Sequence, residues 1–193
     1  MKQYADLTIR NYIQNLGDKS IVPGGGSAAA LSGAVGAGLN LMVINYSIPD
    51  KEDASYAKEL LDIRNKQEKC REELYRLIDE DCRVFTELMD ALRTKDKDVQ
   101  KKYVNAANVP MQICRECAGS MKTSEYLAEK GNKNLMTDVI CAAAILKGAF
   151  VSAKVNVVVN LKHIKDMVLV SKIEEELEIL TVDIESRERR IVQ

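Results

Sequence analysis

Apolar residues recur along this chain three and four positions apart, and only briefly at the alternating spacing of a strand. Leu74, Ile78, Asp81, Phe85, Leu88 and Leu92 mark one face of a long helix, with a carboxylate set into an otherwise apolar seam. Periodicity and punctuation together predict helices over about 7–16, 27–46, 56–92, 99–120, 122–129, 135–165 and 171–189. Gly17 closes the first, Pro49 stops the second, and Gly131-Asn132 closes the fifth. Pro110 predicts an irregularity in the fourth. The piece VNVVVNL, 155–161, reads as a strand in isolation but lies inside a longer helical pattern. The expectation is an all-α chain, an up-and-down helical bundle with long central helices. No repeat, low-complexity tract or linker divides it, so 1–193 reads as a single domain.

Two predicted helices depart from the amphipathic pattern. The second carries small residues four apart (Ala29, Gly33 and Ala37, with Ala30, Ala34 and Gly38 beside them), a face that lets another backbone come close. It is uncharged from Ser27 to Tyr46, but its glycines, serines and asparagines, and the lack of a flanking Lys/Arg cluster, favour a buried core helix over a membrane span. The stretch from Val139 to Leu161 is apolar nearly all round and belongs at the centre of a bundle, against a partner subunit, or both.

Composition narrows the function classes. Lys+Arg is 28 and Asp+Glu is 29, a balance that argues against nucleic acid as the main partner. The N-terminus lacks the apolar core of a secretory signal, and an odd set of five cysteines fits a reducing cytoplasm. Cys114-Arg-Glu-Cys117 lacks the second ligand pair of a zinc site, so no metal is expected, and the cysteines read as core thiols. His163, between two lysines near a helix end, reads as a solvated residue.

The candidate chemistry lies in four places. Pro23-Gly24-Gly25-Gly26-Ser27 opens the second helix, where first-turn N–H groups lack helical partners and glycine lets a backbone approach a ligand. The loop either holds an anion or is a plain helix entry with Ser27 as cap. Asp81, on the seam, is either paired with a neighbouring Lys or Arg or available for chemistry. Asp138 stands in the first turn of the apolar helix, where a carboxylate suits the helix dipole and also borders a dry region. Asn156 and Asn160 lie four apart on a valine-rich stretch and need partners, another helix or a polar ligand. Asp138 and Asn156 share a face but lie roughly 27 Å apart along a straight helix, so both cannot touch one reacting atom.

Taken in order, PGGGSAAALSGAVGA, Asp81 followed by Phe85, NVPMQICRECA, EKGNKNLMTDV and AKVNVVVNLKHIKD resemble the cyclodeaminase/cyclohydrolase family of tetrahydrofolate metabolism. The resemblance runs from about Leu7 to Asp166. It implies an all-helical homodimer with its site in a cleft between subunits, a tetrahydrofolate derivative as substrate and no tightly bound cofactor. It maps the glycine loop to Gly24, Gly25, Gly26 and Ser27, the acidic candidates to Asp81 and Asp138, and the polar helix positions to Asn156 and Asn160; Asn132 and Lys147 join the expected substrate-binding set, and Asp138 is the first choice for acid–base catalysis with Asp81 the second. Thr137 stands where the family usually has serine, and ALRTKDKD where it often has Leu-Pro. The expected reaction is ring closure of 5-formiminotetrahydrofolate with loss of ammonia, with a separate formiminotransferase as possible supplier. The alternatives are hydrolysis of 5,10-methenyltetrahydrofolate and a folate-binding or structural dimer without catalysis. Lys147, Lys154 and the glycine loop are the expected receivers of the folate tail carboxylates.

Overall fold

The computed structural model describes residues 3–49 and 54–193, and among these there is no strand. The elements are α1 (Ile9–Gly17), α2 (Gly25–Ser47), α3 (Ala54–Thr94), α4 (Val99–Lys130), a single 3₁₀ turn at Lys133–Leu135, α5 (Met136–Leu161) and α6 (Met167–Val192). The all-α bundle expected from the sequence is the observed architecture. α2 packs against α3, α4 and α5; α4 packs on α3 and α5 as well, and α6 lies across α4 and α5. α1 lies at the edge and buries one residue, Tyr12.

Small residues set how closely the central helices meet. A Cβ at Gly36 would stand 2.7 Å from Leu146 Cγ, and one at Gly33 3.0 Å from Cys117 Sγ. α2 is therefore wedged between α5 on one side and α3 and α4 on the other, and a methyl group at either glycine costs about 1–3 kcal/mol of overpacking. Gly38, on the same small-residue pattern, faces open space. α2 and the stretch Lys133–Leu161 are both long and apolar enough to cross a membrane. The first is mostly buried by its neighbours, whereas α5 leaves Val151, Val155, Val158 and Val159 exposed.

Three helix boundaries differ from the expectation. The chain does not stop near Ser120: α4 runs through to Lys130 as one helix. Ser120 is buried, its carbonyl accepts from Asn40 Nδ2 at 2.9 Å and its hydroxyl from Gln67 Nε2 at 2.6 Å, so a tertiary network holds the point where local propensity is weak. α5 ends at Leu161 rather than about 165, and α6 starts at Met167 rather than 171. The start is fixed by Asp166, whose Oδ1 accepts from the N–H groups of Val168 and Leu169, both at 3.1 Å. Pro110 sits inside α4 without ending it. The missing N–H leaves the Ala106 carbonyl without its helical donor, a defect of about 3 kcal/mol or more in a free helix. Asn160 of α5 fills the gap, donating from Nδ2 to that carbonyl at 3.0 Å.

Candidate active site

The first turn of α2 has no side-chain cap of its own. The cap comes from the middle of α3, where Asp81 Oδ2 accepts the Ser27 N–H at 2.9 Å. The three glycines divide the work. A Cβ at Gly26 would lie 2.1 Å from Asp81 Oδ1, so only glycine leaves room for the carboxylate. A Cβ at Gly25 would sit 3.5 Å from Asn156 Nδ2, an ordinary contact, and one at Gly24 would touch nothing. The anion at this helix start is thus the protein's own Asp81. Ser27 serves through its N–H, because its buried hydroxyl is bonded to Tyr12 Oη at 2.9 Å.

Asp81 has no Lys or Arg partner among the described residues, so its pairing with a basic neighbour is not what the fold provides. Burial pushes its carboxyl up to about 6, and the Ser27 N–H bond pulls the other way without winning. Of the seam read from sequence, Leu74, Ile78 and Leu88 are buried, while Phe85 and Leu92 are exposed. Phe85 walls a cavity of about 120 Å³ that is also lined by the glycine loop, Asp81, Asn156 and Asn160.

The two asparagines enter this cavity with defined orientation. Asn160 Nδ2 donates to Ala106 O and, at 2.9 Å, to Asn156 O, which uses both of its hydrogens. Asn156 Nδ2 donates to Ser152 O at 2.9 Å. Neither side-chain oxygen has a protein partner among the described residues, so both remain as acceptors beside Asp81. A second depression of about 520 Å³ lies between α5 and α6 and shares Val159 with the first. Lys147 and Lys154 line it, bonded at 2.9 Å to Glu188 Oε2 and Thr181 Oγ1 respectively.

The remaining sequence candidates lie elsewhere in the subunit. Asp138 is half-exposed in the first turn of α5, outside the Asp81 cavity. Asn132 fastens the turn before α5 to the end of α2, donating to Tyr46 O at 3.0 Å and accepting from Asn134 N–H at 3.0 Å. His163 is exposed and stacked on Tyr103 at 4.9 Å. Cys114 and Cys117 are buried, and burial pushes both thiols up, Cys114 to about 12. Among the described residues no three His, Cys, Asp or Glu side chains converge as metal ligands. Sequence reasoning missed Tyr12 and Ala106. The second left a signal, since the residue four before a helical proline always loses its donor.

The helices and this cavity mark a helical-bundle protein with a half-buried carboxylate held at a glycine-rich helix start. A profile of the formiminotransferase-cyclodeaminase family matches residues 8–179. The chain is 32% identical to a methenyltetrahydrofolate cyclohydrolase of Methylorubrum extorquens, over 96% of this chain and 94% of that one. The crystal structure of a formiminotetrahydrofolate cyclodeaminase from Thermotoga maritima superposes with a TM-score of 0.92 at 31% identity, over 96% of this chain and 94% of that one. The formimidoyltransferase-cyclodeaminase of Mus musculus is 26% identical over 86% of this chain, which spans 33% of that longer protein. The chain belongs to the formiminotransferase-cyclodeaminase family.

Proposed function

We propose that the protein is a tetrahydrofolate one-carbon enzyme, a 5-formiminotetrahydrofolate cyclodeaminase, with Asp81 as its acid–base group. The observation that carries the reading is a carboxyl near pKa 6 beside two amide oxygens in an otherwise apolar cavity. Such a group can take and return a proton near neutral pH. N10 attacks the carbon of the protonated formimino group, the C=N π pair moves onto that nitrogen to leave an NH₂ group, and N10 loses its proton; once the amine is protonated its bond to carbon breaks, the electron pair leaves with ammonia, and the N5 lone pair completes the methenyl bridge. Asp81 accepts the first proton and supplies one to the leaving amine.

Asp138, the other carboxylate the resemblance marks, reaches this chemistry only from a second subunit, because it lies roughly 27 Å along α5 from Asn156. The exposed valines of α5 supply an apolar face for a homodimer whose cleft would bring the two together. The folate tail would run past Val159 towards Lys147 and Lys154, competing with Glu188 and Thr181 for them. The formimino substrate would come from a formiminotransferase, an activity that the name of the Mus musculus relative joins to the cyclodeaminase.

The Methylorubrum relative supports a second reading, water addition to the bridge carbon of 5,10-methenyltetrahydrofolate with Asp81 as base. A spectral assay separates the two. Near-ultraviolet absorbance rising from the formimino substrate, with ammonia released, is the expected result. Loss of the methenyl band above the uncatalysed rate assigns the hydrolase instead. No change with folded protein in either assay removes both.

A further inference from the structure

We propose that Pro110 is a positioning residue for this site: by removing the helical N–H that would compete for the Ala106 carbonyl, it strengthens the bond from Asn160 and so presents Asn160 Oδ1 to the substrate as an acceptor. The inference deepens the folate reading and rests on it for the substrate's identity. The chemical class it predicts is a nitrogen-bound hydrogen, such as those on the amine that departs.

A proline in a helix interior forfeits one hydrogen bond and crowds the carbonyl four residues back, yet α4 continues through it. The orphaned carbonyl belongs to Ala106, which lines the Asp81 cavity. Asn160 donates to it at 3.0 Å from the neighbouring helix, and its second hydrogen goes to Asn156 O at 2.9 Å. An amide whose two hydrogens are both spoken for has one orientation, so Oδ1 is left as acceptor. Without the Ala106 bond, the amide has a single remaining tether and can turn its NH₂ towards the cavity instead. An amide in that flipped state offers a donor where the substrate also brings a donor.

A purely structural account predicts the opposite balance of effects. Proline is the poorest residue for a helix interior, so Pro110→Ala should raise thermal stability. If Pro110 positions Asn160, the same variant should raise the KM for substrate about fivefold, the worth of one hydrogen bond, with a smaller change in kcat. Asn160→Ala should raise KM at least as much, and the double variant no more than Asn160→Ala alone, because both act through one acceptor. An unchanged KM in Pro110→Ala, or effects of the two changes that simply multiply, would overturn the proposal. A readout independent of any folate is the side-chain NH₂ resonance pair of Asn160 in ¹⁵N-labelled protein. The pair should be split and slow to exchange in the wild type, and should shift and exchange faster in Pro110→Ala. Identical resonances in both would also overturn it. If these resonances respond while neither folate is converted, the assignment of substrate fails and the positioning role stands.

Discussion

Asp81 and Asp138 both stand beside helix starts in this protein, and their surroundings differ. Asp138 lies in the first turn of its own helix, half in water, where a carboxylate complements the helix dipole at little cost. Asp81 comes from the middle of α3, far along the chain, and is pressed against the first turn of α2. One hydrogen bond does not replace the water it has lost, so its carboxyl is pushed up to about 6. Tuning needs a neighbour that excludes water and supplies too few donors, and here Gly26 permits that closeness.

The largest effect expected from this contrast is at Asp81. Asp81→Asn should lower turnover by about 10²–10⁴, the usual worth of a positioned acid–base group. It should also stabilise the protein. The ordinary carboxyl value is 3.8 and the folded one about 6, so between these pH values the folded state keeps a proton that the unfolded state releases. Wild-type stability consequently falls as pH rises through that window, by about 2–3 kcal/mol in all. Thermal melts at pH 4 and pH 7 should show this fall in the wild type and not in Asp81→Asn. Equal pH dependence in the two proteins would mean that Asp81 is not the strained carboxyl.

The next largest effect is expected at Asp138. If it serves a site built from two subunits, Asp138→Asn alone is impaired. Mixing it with Asp81→Asn after reversible dissociation should then restore about a quarter of wild-type activity, because half the dimers are mixed and each carries one intact site. No recovery on mixing would confine Asp138 to its own helix end.

A third experiment separates neighbours within the glycine loop. Gly26→Ala should displace the Asp81 carboxylate, costing about 1–3 kcal/mol of stability and about tenfold or more in turnover. Gly24→Ala, where a Cβ touches nothing, should leave both close to wild type. Similar losses from both would show that loop flexibility, not room for Asp81, is what matters. The smallest effect belongs to Lys147→Ala. Its ion pair with Glu188 is partly solvent-screened, so the preference for polyglutamated over monoglutamated folate should fall by less than about fivefold. An unchanged preference would take Lys147 out of the tail path.

Much of this molecule was legible along the chain. Apolar spacing called for an all-α bundle, and the small-residue run 29–37 called for a closely approached central helix, because helical periodicity is a local property that neighbours reinforce. The glycine loop, Asp81, Asn156 and Asn160 were each conspicuous, as polar or flexible residues set in apolar surroundings. Sequence could not say that these four would meet, nor that Asn132 and Lys147 would be fastened elsewhere, since those outcomes depend on how helices cross. Ser120 and Pro110 show the same limit from the other side. Local propensity marked a helix end at Ser120 and an irregularity at Pro110, and long-range hydrogen bonds from Asn40, Gln67 and Asn160 serve the continuous helix at both points. Which residues are costly to bury follows from their chemistry and can be read along the chain. The tertiary structure alone decided which of those costs would be relieved by a partner and which, at Asp81, would be left as a raised proton affinity, because desolvation depends on what is packed above a group and not on what precedes it.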